Sequence, residues 1–593
     1  MIETSGARLS AFSVRNAAWL LAALWLAMWI ARLHSGDDLT IRDQQRQCAY
    51  ILDAWSNGRW SAQTDVSADM ASKPPLYNWL GAAAVAAAGP GHLAFSAPAA
   101  LSALLLSLLA WYWGRRLSGP VVGLLAGLFM LLPMFGPKMV AYVRTDGLFT
   151  ATVALTAYAW WRHWEHRGGW WWPWLAAAAA TLAKGPLGLL LGSFGLIAVA
   201  WRGGSPPGSA AADSDDRRFL SRWWPAGLAI YLLLAGGWLL WAWSEWGQPL
   251  IDRMIFRELI GHAVASRDAS GGLSSQFWKP LFYLLTRTAP WCVFTVLALI
   301  QVFRHPALQP APRRAERFLA CWLLAGLAAF SLGSHQRSDL IWPLVLPAAI
   351  LAAREVVRRA AQWPVWARTW LGPVLFALTA AAVVTAKFEA RPPRSSVRAA
   401  ALAHAIAAGP GREFPLSYAV RYATQAHLGI QRYYATREQS VAALAGVPAV
   451  FVAVEDPAAV IEEVAAAGGR ASLLLQAKGG WGVVANRDRW ESGPGLKLLM
   501  GPVEIEVGNA EWRALQGRRL WLVPDSGGMP TVTIVNDGPH SEPFSIRLEG
   551  TAADLPLQVP PRTEVRATWR KGSGWRQVAE ATGRPVPDAS RRQ

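Results

Sequence analysis

Apolar runs broken by short polar stretches fill the first two thirds of the chain. Eleven stand out, near 16–33, 93–113, 121–136, 147–161, 170–183, 185–201, 223–243, 280–303, 318–333, 340–353 and 369–386. A helix needs roughly 20 apolar residues to cross the hydrocarbon of a bilayer. The pattern therefore predicts a polytopic α-helical membrane protein with about 11–13 transmembrane helices. The two runs flanking Lys184 are together too long for one helix and barely enough for two. Tyr77 to Ala88 is an amphipathic stretch, read as an interfacial helix or an extra membrane helix. The first run lacks a small-residue cleavage site and further runs follow it, so a retained signal anchor is expected.

The pattern changes at Lys387. Helix-like runs such as Val460 to Ala467 then alternate with short β-rich ones, Ala449 to Val454 and Ala471 to Leu475. This predicts an α/β domain over 391–495. Alternating strands dominate from Val503 to Trp569, with turns such as Asn536–Asp537–Gly538, which predicts a β-sandwich over 496–580. The tail, 581–593, reads as disordered, and 1–390 forms the membrane domain.

Composition sharpens this picture. Of 593 residues 53% are hydrophobic and only 16% charged, against about a quarter charged in soluble proteins. Many of the 35 tryptophans stand at the ends of apolar runs: Trp111, Trp113, Trp160, Trp161, Trp170 to Trp172, Trp223 and Trp224. Indole pairs an apolar body with a polar N–H, so this spacing reads as an aromatic belt at the headgroup layer. The net charge of +18 is spread as short clusters between apolar runs, which argues against a nucleic-acid surface. With the N-terminus in the cytoplasm, the cytoplasmic loops carry 18 Lys/Arg and 7 acids, and the opposite loops 12 and 11. That is the positive-inside bias, and it puts the C-terminal domains on the periplasmic side. Cys48, Cys292 and Cys321 are scattered, which implies neither a disulfide framework nor a zinc site.

The unusual polar clusters all fall on the non-cytoplasmic side of this topology. The long first loop holds Asp37, Asp38, Asp43, Asp53, Asp65 and Asp69, then Ser72–Lys73–Pro74–Pro75–Leu76–Tyr77. Two prolines extend the backbone ahead of the next helix and hold Lys73 at the membrane surface, where an ammonium suits a lipid-linked phosphate. Further clusters are Tyr142 to Asp146, Leu182 to Pro186, and Ser331 to Asp339 with His335 and Arg337. Cations at four loop tips on one face suggest a basic bowl around an anionic ligand, with Asp43 and Asp146 as its acids.

The order of these motifs carries a resemblance. An acid follows span one, then come Lys-Pro-Pro-Leu-Tyr, Asp at the top of span four, Ala-Lys-Gly-Pro, and Phe330–Ser331–Leu332 before Arg337. This order resembles the bacterial branch of the GT-C glycosyltransferases, which includes the lipid A aminoarabinose transferases and relatives of the protein O-mannosyltransferases. It covers about residues 15–390. The chain departs from the pattern at Gln44 after Asp43, at Ser72 before Lys73, and at Leu340, which stands where the pattern has a tyrosine. In the aminoarabinose transferases the glutamate before Lys-Pro-Pro takes part in metal binding, so with Ser72 in its place no cofactor is expected, a divalent metal being the alternative left open.

The resemblance implies a donor sugar on a polyprenyl phosphate, and a lipid, glycan or protein acceptor at a bacterial inner membrane. Lys73, with Arg144, Lys184 or Arg337, would bind the phosphate. Asp43 would be the general base, and Asp146 would support the acceptor or position Lys73 or Arg144. Tyr77, His335, Arg257 and His262 are candidate substrate contacts, although the loop carrying Arg257 and His262 reads as structural rather than catalytic. Two other classes stay open: an inactive relative that binds lipid-linked sugar or scaffolds envelope proteins, and a transporter, against which the placement of charges at span ends argues.

Overall fold

The structure is a computed structural model. It describes residues 16–34, 42–65, 70–89, 91–132, 135–166, 168–201, 221–260, 277–307, 309–333, 336–388, 437–446, 451–454, 456–476 and 482–486, and eight strands between 496 and 581. The chain divides into two compact units: residues 1–36, 54–63 and 70–390, and residues 37–53, 64–69 and 391–593.

The first unit is helical. Among the described residues four helices are long and apolar enough to cross a membrane: His92–Ser118, Trp224–Trp246, Pro310–Leu332 and Val365–Ala386. Lys279–Arg287 and Cys292–Arg304 make a fifth only when taken together, and they bend by 116° at their break. Ala17–Leu33, Leu76–Ala88, Pro120–Leu131 and Leu187–Ala200 are apolar but shorter. The expectation of 11–13 transmembrane helices is therefore corrected. An α-helix rises about 1.5 Å per residue, so the 12 residues of Pro120–Leu131 fall well short of a hydrocarbon core about 30 Å thick. Apolarity at such lengths reflects burial against other helices as much as contact with lipid.

The tryptophans separate on the same ground. Trp113 and Trp322 are among the largest fully buried side chains. Trp113 stacks on Trp322 at 6.3 Å and lies 5.2 Å from Trp161 and from Tyr158. These rings, with Phe318, fill the space between His92–Ser118, Thr145–His166 and Pro310–Leu332. Trp113, Trp160 and Trp161 are thus interhelical core and not belt. Trp171, Trp172, Trp223 and Trp224 do stand exposed, in keeping with an interfacial ring.

The segment around Lys184 is a tight reversal. Lys184 ends the helix Trp172–Lys184, and Gly185 follows at φ +105°, a region that favours glycine. The Gly185 N–H donates to the Thr181 carbonyl at 2.7 Å. The chain then doubles back as Leu187–Ser193, and a Cβ at Gly188 would come within 2.7 Å of the Ala180 Cβ. The two runs are two short helices in close backbone contact.

The second unit contains the C-terminal strands. Val452, Val454, Val460, Val464, Val484 and Leu444 form its small core. Seven strands share one sheet in the order Phe451–Val454, Gly482–Ala485, Ser472–Gln476, Arg519–Pro524, Pro530–Asn536, Thr563–Arg570 and Gly574–Ala581. All neighbours are antiparallel except Ser472–Gln476 with Arg519–Pro524, a parallel pair with Gln476 opposite Arg519. Leu496–Met500 pairs with Val503–Val507, and Phe544–Leu548 with Leu555–Val559, as separate antiparallel ladders. This corrects the second half of the expected fold class. Strands assigned to an α/β domain and to a sandwich lie in a single sheet, so the described residues do not divide into those two domains. The expected disordered tail lies outside the described residues, apart from Ala581 at the end of the last strand.

Candidate functional site

In the first unit, the segment ahead of Lys73 is fixed on several sides. The Ala71 N–H donates to the Gln63 carbonyl at 2.7 Å, and the Gln63 side-chain amide donates to the Arg59 carbonyl at 2.7 Å. Asn78 Nδ2 donates to Gln63 Oε1 at 2.7 Å. The Trp238 indole N–H reaches the Ser61 carbonyl at 2.8 Å, and the Ser61 hydroxyl donates to Glu245. Pro74 and Pro75 are buried at the start of Leu76–Ala88, and Lys73 is half-buried just before them. The two-proline lead into a helix thus positions the lysine backbone tightly.

Helix Thr145–His166 begins with Asp146 in its first turn, where the N-terminal partial charge favours an acid. Lys184 ends the following helix, where the opposite partial charge favours a cation. The two helices pack as a hairpin, which brings the start of one to the end of the other, and the Lys184 ammonium donates to Asp146 Oδ1. Arg144 Nε lies 3.1 Å from Asp146 Oδ2, without hydrogen-bond alignment. Arg144 Nη1 donates to Asp339 Oδ2 at 2.7 Å, across 195 residues of sequence. Lys73 also attracts Asp146 through space. Lys184 stands over the Phe149 ring, 5.6 Å from its centroid.

The cluster therefore holds three cations, Lys73, Arg144 and Lys184, and two carboxylates, Asp146 and Asp339. Asp146 is 3% exposed, while Arg144, Lys184 and Asp339 keep 16–18% of their side chains accessible. Such a site can hold an anion by preorganised ammonium and guanidinium groups, because its carboxylates already fix their directions. Asp339 was not among the residues singled out from sequence, although the segment ending in it was. A single aspartate near a helix start gives no sign of an arginine 195 residues away.

The remaining candidates lie elsewhere. Tyr77 is fully buried and its hydroxyl donates to the Phe95 carbonyl at 3.0 Å. Arg337 is exposed on the turn that carries Asp339, and Arg257 is exposed within Asp252–Ile260. His262 and His335 lie outside the described residues. Asp43 belongs to the second unit, where it is exposed in the first turn of Arg42–Asn57. Asp53 and Asp65 of the same unit are buried: Asp53 accepts the Thr64 N–H at 2.7 Å, and Asp65 pairs with Arg46 at 3.2 Å. Asp37, Asp38 and Asp69 lie outside the described residues. Among the described residues no three His, Cys, Asp or Glu side chains gather as a metal site.

Comparison with known proteins follows the same segment. A family profile described as dolichyl-phosphate-mannose-protein mannosyltransferase matches residues 72–206, which include Lys73, Arg144, Asp146 and Lys184. The chain is 26% identical over 332 residues to the undecaprenyl phosphate-alpha-4-amino-4-deoxy-L-arabinose arabinosyl transferase 1 of Pseudomonas fluorescens strain Pf0-1, covering 54% of each chain. The protein of the same name from strain Pf-5 is 26% identical over 352 residues, covering 58% of this chain and 60% of the relative. The chain thus matches between half and three fifths of the length of these curated relatives. In structure it is similar to ArnT from Cupriavidus metallidurans bound to undecaprenyl phosphate, with a TM-score of 0.60 at 16% identity over 80% of this chain and 98% of that one. The chain shares that fold, and in sequence it is related to these polyprenyl-phosphate-dependent transferases.

Proposed function

We propose that this chain is a membrane glycosyltransferase that moves a sugar from a polyprenyl-phosphate carrier to a lipid, glycan or protein acceptor on the periplasmic side of a bacterial inner membrane. The observation that carries this reading is the cluster of Lys73, Arg144 and Lys184 ordered by Asp146 and Asp339. It supplies fixed positive charge for a lipid phosphate in a fold shared with a protein that binds undecaprenyl phosphate. The excess of Lys/Arg in the alternate loops supports the sidedness.

In the reaction, an acceptor hydroxyl oxygen forms a bond to the anomeric carbon as the bond from that carbon to the phosphate oxygen breaks. The phosphate leaves with the electron pair, and the cations stabilise the charge that develops on it. Removing one such donor costs roughly 10²–10³ in rate in well-studied enzymes. The motif order alone offers Asp43, an exposed first-loop carboxylate, as the base for the acceptor proton. A base of this kind contributes roughly 10²–10⁴-fold. Direct displacement inverts the anomeric centre. No step requires a nucleotide, since the polyprenyl phosphate is itself the leaving group.

Right-side-out membrane vesicles holding the protein, given radiolabelled polyprenyl-phosphate sugars and an envelope extract as acceptor, provide the test. Transfer by wild type, with at least a hundredfold loss in Asp43→Asn and in Lys73→Ala, is the expected result. Donor binding without transfer from any sugar would replace this reading with that of a binding or scaffolding relative.

A further inference from the structure

We propose that Asp339 is a positioning residue of the transferase site: it holds Arg144 against Asp146 and cancels its charge, so that the donor phosphate meets Lys73 and Lys184 instead. This deepens the function proposed above and rests on it.

A guanidinium presents its donors as a rigid planar fork. In Arg144 two edges of that fork already face carboxylates, Nη1 at 2.7 Å from Asp339 and Nε at 3.1 Å from Asp146. The first is a charge-assisted hydrogen bond with both side chains mostly shielded, 16% and 18% exposed. A phosphate oxygen that displaced Asp339 from Arg144 would leave a shielded carboxylate facing the incoming anion. Arg144 is thereby committed to structure, as the strut that joins the start of Thr145–His166 to the turn before Val345–Ala360. An ammonium is different, because it carries three donors that reorient about one bond. Lys184 uses one on Asp146.

Charge points the same way. Arg144 and Lys184 balance Asp146 and Asp339 within the ion-paired set. Without Asp339 that set would gain one positive charge and a released guanidinium. It would then hold the lipid monophosphate product more tightly and lose the frame that orders Asp146.

The probe is undecaprenyl phosphate, binding to purified protein in nanodiscs at two salt concentrations, alongside turnover. Asp339→Asn, nearly isosteric, is expected to bind undecaprenyl phosphate at least threefold more tightly at low salt, with a steeper salt dependence, and to lose at least tenfold in kcat. Asp339→Glu keeps the charge and should stay within threefold of wild type in both. Equal or weaker binding by Asp339→Asn would overturn the proposal, as would Asp339→Glu behaving like Asp339→Asn. Thermal unfolding shows whether Asp339→Asn folds, and Arg144→Gln gives an independent reading if it does not. Arg144→Gln should lose far less undecaprenyl-phosphate affinity than Lys73→Gln, and an equal loss would make Arg144 the phosphate ligand and the proposal wrong. Wild type that fails to bind undecaprenyl phosphate takes down the proposed function as well. Wild type that binds, with Asp339→Asn unchanged, takes down only the role of Asp339.

Discussion

The two ends of helix Thr145–His166 both carry buried charge, and they handle it in opposite ways. At its start, Asp146 is shared by Arg144 and Lys184, and Arg144 is shared in turn by Asp146 and Asp339. Its last turns carry one of a set of separately closed pairs. Glu165 takes both donors of Arg314 at 3.3 Å, Glu316 takes Arg354 and the Ala307 N–H, and Glu355 is clamped by Arg358 and Arg359 three and four residues on. Arg317 donates to the Trp201 carbonyl at 2.8 Å. In these pairs each glutamate is held by arginine at hydrogen-bond distance, and Arg115 and Arg116 stand exposed over Trp111 and Tyr112. Charge paired off group by group serves to anchor helix ends. Charge shared along a chain of groups that stays partly accessible can serve a ligand.

Breaking the shared carboxylate should have the largest effect. Asp146→Ala leaves Arg144 and Lys184 with an uncompensated, shielded positive charge. Removing one partner of a buried pair costs about 3–5 kcal/mol, toward the lower end here because Lys184 keeps 18% of its side chain accessible. Transfer should become undetectable, and thermal unfolding in detergent should shift down clearly. A variant that retained both stability and turnover would mean that the cluster is not the organising feature of this end.

At the other end the same kind of change should separate stability from activity. Glu316→Gln removes the charge that Arg354 faces and weakens the acceptor of the Ala307 N–H. A loss of about 1–3 kcal/mol is expected for a buried group left poorly satisfied, read as a lower unfolding midpoint. Turnover per folded molecule and undecaprenyl-phosphate affinity should remain those of wild type. A fall in affinity matching that of a Lys73 variant would erase the distinction between the ends.

The contrast also marks what could be read from the chain. Lys73, Arg144, Asp146 and Lys184 were legible because each is a charge abutting an apolar run, a local signal. Asp339 was not, because its meaning lies in a partner far away in sequence. The span count was overread because hydropathy treats a side chain facing another helix and one facing lipid alike. Trp113, sealed among Trp161, Trp322 and Phe318, shows that directly. In the C-terminal half, alternation located strands such as Val503–Val507 but could not show their partners. The pairing of Gln476 with Arg519 joins segments that no short-range pattern connects.

The finest test of the comparison is the Arg314–Glu165 pair. Its geometry is two-pronged, yet its side chains are 26% and 13% exposed, so solvent screens the attraction. A double-mutant cycle with Arg314→Met and Glu165→Gln should return a coupling of about 0.5–1 kcal/mol, the range of partly exposed pairs. It should shrink in high salt, because accessible charges are screened within about 10 Å at 0.1 M. The Asp146–Lys184 cycle should give several times that value and lose less of it to salt. Equal couplings would show that sharing a carboxylate between two cations adds nothing beyond pairing it with one, and the functional reading of the first end would then rest on its cations alone.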